Sequence, residues 1–342
     1  MVISAPAHSI AATPMAFVRA IQQAYAHAGL SPDAALQAAQ IAPSDVRQLT
    51  GHITAWQMQQ VSGHAMRELD DEALGWFSRR LPWGSYGMLV RASISAPTLQ
   101  VALTRWCRHH ALIAPDITLS LHVAGDSASI SIAEHRPLGA LQEFCLVSVL
   151  RNIYGVACWL VDSRIALQQA HMPFAPPPHH ADYAVLFPCP TTFNAGQASI
   201  AFDARYLGLS LRRDEKALQA MLHNALPLTV LQYRRDRLLV QQVRQALASH
   251  PADTHSAEGL AALLNVSPRT LHRQLREEGA SLQALKDSVR RDRATELLLR
   301  TQRPIKQVAE AAGFMNEKSF IRAFKGWTGA SPAEFRRQSA PD

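Results

Sequence analysis

The most informative segment of the chain is Val266-Ser267-Pro268-Arg269-Thr270-Leu271-His272-Arg273-Gln274-Leu275-Arg276. The hydroxyl of Ser267 can accept a hydrogen bond from an N–H of a first helical turn, and Pro268 then occupies the first helical position, where its missing N–H costs nothing. Val266 and Leu271 have the spacing of a hydrophobic staple. Leu271 and Leu275 share one face, which leaves the basic residues for the other faces. The segment therefore predicts a short, capped, basic amphipathic helix.

The same pattern recurs 49 residues later, in Met315-Asn316-Glu317-Lys318-Ser319-Phe320-Ile321-Arg322-Ala323-Phe324-Lys325. The corresponding pairs are Val266 and Met315, Ser267 and Asn316, Leu271 and Phe320, Arg273 and Arg322, and Leu275 and Phe324. One capped basic helix is therefore built twice. Two such helices suggest a protein that enters two successive grooves of DNA.

Each basic helix follows a short apolar segment and a tight turn, which is the order of a helix-turn-helix unit. The supporting segments are residues 259–264 and 305–312. A helix is also predicted between the two units, from Leu282 to about Arg300. At 1.5 Å per residue it would be a rod of roughly 27 Å. That length is of the same order as the ~34 Å between successive major-groove faces.

The first two thirds of the chain combine two kinds of periodicity. Residues 117–123 and 129–132 alternate apolar and polar side chains and predict two paired strands, whereas 141–160 predicts a buried helix. Further strands are predicted at 164–169, 185–187 and 199–203, and a turn at 81–87. Segregated helices and strands favour an α+β fold over a parallel doubly wound sheet.

The composition indicates a globular protein, with 48% hydrophobic and 18% charged residues. A net charge of +7 permits a nucleic-acid partner but does not require one. The four cysteines are widely spaced and predict reduced thiols of a cytoplasmic protein. The most apolar run, 144–161, contains Arg151, and an arginine at the centre of a membrane costs roughly 2.5–3.5 kcal/mol. We therefore expect no membrane partner.

The last hundred residues resemble the AraC/XylS-type transcriptional regulators. The matching positions are Ile305, Val308, Ala309, Glu310, Gly313, Phe314, Ser319, Phe320, Arg322, Phe324, Lys325, Gly329, Ser331, Pro332, Phe335 and Arg336. The preceding part is similar to the arabinose-binding-like domain of a subfamily that includes ornithine-utilisation regulators, through Leu81-Pro82, Gly84-Ser85-Tyr86-Gly87, Ala96-Pro97-Thr98-Leu99, Pro188 and Phe193. The resemblance implies a homodimer that binds promoter DNA and a small-molecule effector and acts with RNA polymerase.

Three segments follow from the periodicity and the resemblance together. We predict an α+β effector-binding and dimerisation domain over 1–213, a helical linker over 214–237 and an all-α double helix-turn-helix domain over 238–342. The expected function is that of a small-molecule-responsive activator of a metabolic operon.

The resemblance also implies which side chains meet DNA. In the first recognition helix they are Ser267, Arg269, Thr270, His272 and Arg273, and in the second Asn316, Glu317, Lys318, Ile321 and Arg322. Arginine can bond guanine O6 and N7, and helix starts can bring backbone N–H groups near phosphates. Ile321 stands where a polar residue is common, so we expect it to touch a thymine methyl group or nothing. For each side chain, a merely solvated surface is the alternative.

An effector pocket is predicted around aromatic and cationic side chains, which suit small polar ligands. The residues chosen are Trp83, Tyr86, Arg91, Arg151 and Trp159, with core packing as the alternative for each. No metal site and no cofactor are expected, because the pairs at 109–110 and 179–180 are not accompanied by other ligands at a fixed spacing.

Two alternatives to this function remain open. The DNA-binding module could be joined to an enzyme of the DNA-alkylation repair type, which needs a reactive cysteine beside a histidine or a cysteine-rich zinc cluster. Cys189, in Phe187-Pro188-Cys189-Pro190, has no adjacent histidine, and the four scattered cysteines make no cluster, so we predict that the chain is not an enzyme. In the second alternative the N-terminal domain only dimerises and binds no effector.

Overall fold

The structure, a computed structural model, describes residues 13–48, 50–222, 238–250, 256–277 and 280–338. The chain divides into two compact units, Met1–Asp236 and Arg237–Asp342. Of the predicted linker over 214–237, residues 223–237 lie outside the described residues, and the described part contains a helix.

The first unit mixes helices and strands, and the prediction of an α+β fold is confirmed. Its helices are α1 (Met15–His27), α2 (Asp33–Ala38), α3 (Pro43–Val46), α4 (Ala55–Glu68), α5 (Ser85–Ile94), α6 (Leu99–Ile113), α7 (Gln142–Val161), α8 (Tyr183–Leu186) and α9 (Glu215–Leu222). Its strands are β1 (Thr13–Pro14), β2 (His52–Ile53), β3 (Ile117–Ala124), β4 (Ser127–Glu134), β5 (Leu167–His171), β6 (Thr191–Thr192) and β7 (Ala198–Asp203).

Five of these strands form one sheet in the order β3-β4-β7-β5-β6. Neighbouring strands are antiparallel except β5 and β6, which run parallel. β3 and β4 pair from Ile117 with Glu134 to Ala124 with Ser127. The alternation puts Leu119, Ile130 and Ile132 on the buried side, as predicted for strands with one wet face.

Helix α7 forms much of the core of the first unit. The run Gly139–Val161 is long and apolar enough to cross a membrane, but 89% of its most apolar window is buried inside the structure. The prediction of a buried core helix is therefore confirmed.

Two predictions of local structure are wrong. Residues 185–187 were expected as a strand, yet Tyr183–Leu186 is a helix; Tyr183 packs on Phe193 with ring centroids 5.0 Å apart and donates to Glu143. Residues 81–87 were expected as a turn, yet the turn ends at Gly84, whose φ is 102°, and Ser85 begins α5.

Three consecutive acids explain why the chain turns into α5. Asp71 accepts hydrogen bonds from the backbone N–H groups of residues 73, 75 and 81. Asp70 accepts one from Trp83, and Glu72 accepts from the N–H groups of Gly84 and Tyr86, both at 2.8 Å. Glu72 thereby caps the first turn of α5, where donors are otherwise unpaired. Burial raises the pKa of Glu72, although these N–H groups oppose the shift.

The second unit is helical throughout its described residues. Its helices are α10 (Leu238–Ser249), α11 (Ala257–Leu263), α12 (Pro268–Glu277), α13 (Leu282–Arg300), α14 (Ile305–Ala311), α15 (Glu317–Thr328) and α16 (Pro332–Gln338). Two separate apolar clusters hold them. We call the first core the cluster of Val243, Ala246, Leu247, Leu260, Ala261, Leu271, Leu275, Leu282 and Leu285. The second core is Ala294, Leu297, Leu298, Val308, Ala309, Ala312, Phe320 and Phe324.

Stability of the first unit is expected to fall in mild acid because of His110. Its side chain is fully buried on α6, and burial lowers its pKa from 6.5 to about 4. Between pH 6.5 and about 4, His110 is therefore protonated in the unfolded chain but not in the folded chain. The free energy of unfolding is therefore highest above pH 6.5 and decreases as the pH falls towards 4. The loss should reach about 3 kcal/mol.

Urea unfolding at a series of pH values, followed by tryptophan fluorescence, measures this loss. The variant His110→Gln has no proton to gain and should show a flatter profile, whereas the exposed His122→Gln should keep the native profile. Equal slopes for the native chain and His110→Gln would contradict the assignment.

Candidate functional site

Helix α12 begins at a side-chain cap. The N–H of Thr270 donates to the hydroxyl of Ser267 at 3.1 Å, and the hydroxyls of these two residues lie 2.8 Å apart. Thr270 is half-buried and part of the cap, whereas Ser267 is exposed. The predicted staple is supported on one side, because Val266 packs against the first core.

The two faces of α12 have opposite environments. Leu271 and Leu275 are 0% and 1% exposed in the first core, whereas Arg269, His272 and Arg273 are all exposed. A helix with its apolar pair held in this way cannot rotate without burying charge. The basic side chains therefore stay on the surface of the unit.

Helix α15 repeats this arrangement on the second core. Asn316 caps it by accepting a hydrogen bond from the N–H of Ser319 at 2.8 Å. Phe320 and Phe324 are fully buried. The predicted contact residues Asn316, Glu317, Lys318 and Arg322 are exposed, but Ile321 is half-buried and packs against the second core.

The turns before the two recognition helices both contain a residue in the left-handed conformation, but the residue differs. Gly313 has a φ of 80° before α15, and Asn265 has a φ of 54° before α12. Asparagine and glycine are the residues that visit this left-handed conformation most readily. In the second helix-turn-helix unit, the guanidinium of Arg290 on α13 lies 5.0 Å from the ring of Phe314. This contact anchors the turn before α15 to α13.

The two copies differ at the residue before the cap. Val266 is partly buried, but its counterpart Met315 is 91% exposed. Phe314 fills the place beside the helix instead, with its ring centroid 5.4 Å from that of Phe320. The sequence repeat alone did not predict this difference.

A cavity of about 420 Å³ lies in the first unit, which is within the range of small-molecule sites. Of the predicted pocket residues, Trp83, Tyr86 and Arg151 line it. The other two lie outside this cavity. Arg91 points to an exposed ion pair with Glu215, 3.0 Å away, and Trp159 is buried under Arg213, 5.4 Å from the ring centroid.

Most of the cavity wall was missed by sequence reasoning. Helices α1, α4 and α7 and the segment 72–86 supply it, and it includes Phe17, Arg67, Glu72, Trp76, Phe144, Ser148 and Asn152. One signal was present in the sequence. Ser148, Arg151 and Asn152 have the spacing of a single helical face within an otherwise apolar run.

The histidines and Cys189 were also considered as metal ligands or as a nucleophile. Within the described residues, no group of three or more His, Cys, Asp or Glu side chains is arranged to hold a metal. In the second histidine pair, His179 lies 2.7 Å from Glu143, and Nδ1 of His180 lies 3.1 Å from the carbonyl oxygen of Pro177. Burial raises the pKa of Cys189 to about 11, which is opposite to the shift that activates a thiolate.

Two tandem helix-turn-helix units with exposed polar recognition helices define a DNA-binding protein. Residues 260–338 match a helix-turn-helix domain family, and residues 29–211 match the family described as the arabinose-binding domain of AraC transcription regulators, N-terminal. The chain therefore belongs to the AraC family of DNA-binding transcription regulators.

The chain is similar to two named regulators and to one solved DNA-binding domain. The chain is 28% identical to the ornithine utilization regulator of Pseudomonas aeruginosa over 94% of this chain and 96% of that protein. It is 35% identical to the arabinose operon regulatory protein of Salmonella typhimurium over 28% of this chain and 35% of the relative. The solved DNA-binding domain of AdpA, in complex with a target DNA, is 30% identical and covers 29% of this chain and 90% of its own, with a TM-score of 0.26.

Removal of either cap should loosen one recognition helix at a time. We expect Ser267→Ala to destabilise α12 and Asn316→Ala to destabilise α15 by about 0.5–2 kcal/mol each, because a backbone N–H loses its acceptor. Hydrogen exchange read by mass spectrometry measures this in the amides of each helix.

The exchanged caps Ser267→Asn and Asn316→Ser are the matched controls, since both side chains are good caps. They should keep native protection. Undiminished protection in the alanine variants would show that the caps do not hold the helix starts.

Proposed function

We propose that this regulator places α12 and α15 in two successive major grooves of promoter DNA and changes transcription when a small molecule fills the cavity of its first unit. It acts as a cytoplasmic homodimer, as an activator of a metabolic operon together with RNA polymerase. The single observation that carries the DNA-binding part is the pair of buried apolar residues on each recognition helix, which keeps the polar face of that helix outward.

The proposed base contacts come from the exposed side chains of the two helices. They are Arg269, His272 and Arg273 on α12, and Glu317, Lys318 and Arg322 on α15. Ser267, Thr270 and Asn316 serve the helix starts, where backbone N–H groups can meet phosphates. Ile321 is given no base contact, because its side chain packs against the second core.

The length of α13 supports binding of the two recognition helices to two successive grooves. Helix α13 runs without interruption from Leu282 to Arg300 and contributes to both cores. Its 19 residues span roughly 28 Å at 1.5 Å per residue. Successive major-groove faces lie ~34 Å apart, so the recognition helices need only a small additional offset.

The cavity supports effector binding over a domain that only dimerises. It is large enough for a small ligand, and its wall includes Leu222, the last residue of α9. A ligand in the cavity would therefore touch the end of the segment that continues towards the second unit. The name of the full-length relative, an ornithine utilization regulator, supports a metabolic operon as the target.

Selection of binding sites from random DNA by the full-length protein tests the DNA-binding part. We expect each half-site of the homodimer to contain two preferred segments about 10 base pairs apart, which is one helical turn. Arg273→Ala should relax the preference in one segment and Arg322→Ala in the other, each at about 1–3 kcal/mol of specific binding.

The exposed Arg79→Ala, in the first unit, is the control for a lost positive charge. It should leave both segments unchanged. If both recognition-helix variants relaxed the same segment, or neither relaxed any, the two-groove arrangement would be wrong. A transcriptional fusion to the selected site then distinguishes activation from repression by the sign of its response.

A further inference from the structure

The start of the second recognition helix carries an apolar side chain that is surrounded by solvent. Met315, directly before the Asn316 cap of α15, is 91% exposed, and no other large hydrophobic residue in the described part of the chain is as exposed. Packing within the second unit does not account for an apolar residue there, because almost none of its side chain is buried. The thioether is therefore available for a contact with a partner of the recognition helix.

The two copies of the helix-turn-helix unit use this position differently. Val266, the counterpart of Met315, packs against the first core. In the second copy Phe314 takes the corresponding place, with its ring centroid 5.4 Å from that of Phe320 and 5.9 Å from that of Trp327. Because Phe314 fills this place, the side chain of Met315 is not needed in the second core. The residue before the cap is thus part of the core in the first copy and part of the surface in the second.

Hydrogen bonds on both sides of Met315 fix its backbone. The N–H of Phe314 donates to the carbonyl of Ala309 at 3.0 Å, and the side chain of Asn316 accepts from the N–H of Ser319 at 2.8 Å. The Cα of Met315 is therefore held at the start of the recognition helix. Its unbranched side chain keeps its rotational freedom, since solvent and not protein surrounds it.

The major groove offers one apolar group to such a side chain, the methyl group of thymine. Residues at the N-terminal end of a recognition helix are the ones that contact base edges. Asn316, Glu317 and Lys318 are exposed and polar, so Met315 is the apolar side chain at this end of α15. A methionine side chain is flexible and polarisable, which suits contact with a methyl group.

Ile321 is the other apolar residue that was expected to face DNA on α15. It is half-buried and packs against the second core. Turning Ile321 towards a base would remove this packing, which is unfavourable for an apolar side chain. Met315 can contact a base without any such loss.

We propose that Met315 contacts the methyl group of a thymine in the DNA segment read by α15. The proposal rests on the proposed placement of α15 in a major groove. Because the counterpart Val266 is held by the first core, the contact belongs to the second copy alone. It gives the segment read by α15 a thymine preference that the segment read by α12 does not receive from the same position.

Replacement of thymine by deoxyuridine tests this contact, since it removes only the methyl group. Each thymine of the site selected from random DNA is replaced in turn, and binding of the full-length protein is measured by fluorescence anisotropy. The native chain should lose about three- to fivefold in affinity per half-site at one position of the segment read by α15, the effect of one methyl-sized group. A segment without thymine, or no loss at any of its thymines, would overturn the contact.

Variants assign the loss to a side chain. Met315→Ala should bind the thymine and deoxyuridine sites equally. Leu299→Ala, which removes an exposed leucine from α13, should discriminate between them as the native chain does. Ile321→Val should also discriminate, because Ile321 faces the second core. Discrimination that persists in Met315→Ala, or that disappears in Ile321→Val, would contradict the assignment.

Oxidation of the thioether provides a second measurement on the native chain. Hydrogen peroxide transfers one oxygen atom to the sulfur of an exposed methionine and leaves water, and the resulting sulfoxide is polar. Once mass spectrometry locates the sulfoxide at Met315, the treated chain should no longer distinguish thymine from deoxyuridine. Met315→Leu has no sulfur at this position and should distinguish them before and after treatment, which controls for oxidation elsewhere. Discrimination retained by the native chain with the sulfoxide would overturn the contact.

Failure of this contact differs from failure of the proposed DNA-binding mode. If deoxyuridine has no effect but Arg322→Ala relaxes the preference of its segment, α15 lies in a groove and only the role of Met315 is wrong. If neither Met315→Ala nor Arg322→Ala alters any base preference, the placement of α15 is wrong as well.

Discussion

The DNA-binding unit depends on the burial of one apolar pair, four residues apart, on each recognition helix. Leu271 and Leu275 lie in the first core, and Phe320 and Phe324 in the second. A shift of one residue turns a helix by about 100°. In one direction it would bring His272 and Arg276 into the first core and Lys325 into the second. Such a shift would cost several kcal/mol in lost apolar burial and buried charge. Side-chain caps fix where each helix starts, so both the rotation and the beginning of the recognition surface are determined.

One continuous helix sets the relation between the two recognition surfaces. Helix α13 places Leu282 and Leu285 in the first core and Leu297 and Leu298 in the second. Because both cores share this rod, the separation of α12 and α15 does not depend on a flexible loop. The stacking of Arg290 on Phe314 adds a contact between the rod and the turn before α15. A spacing fixed in this way suits a ligand with a fixed repeat, such as the DNA double helix.

The tandem units could be predicted from sequence because their signals are local. Caps, apolar spacing and turn residues all lie within a few positions of one another. A repeat shows which residues correspond, but not what surrounds them, so the exposure of Met315 and the burial of Ile321 required the structure. In the first unit the decisive contacts are longer in range. Glu72 caps a helix start twelve to fourteen residues away, and the cavity exists because α1, α4 and α7 meet.

Arg151 is a buried cation of α7 that lines the cavity. Its guanidinium also donates to the carbonyl of Leu186 and lies 5.9 Å from the ring centroid of Tyr154, so it contributes to local structure as well as to the cavity wall. The same cavity reaches Leu222, and a methyl group added at Gly87 would come within 3.1 Å of that leucine. The end of α9 is thus packed tightly between α5 and the cavity.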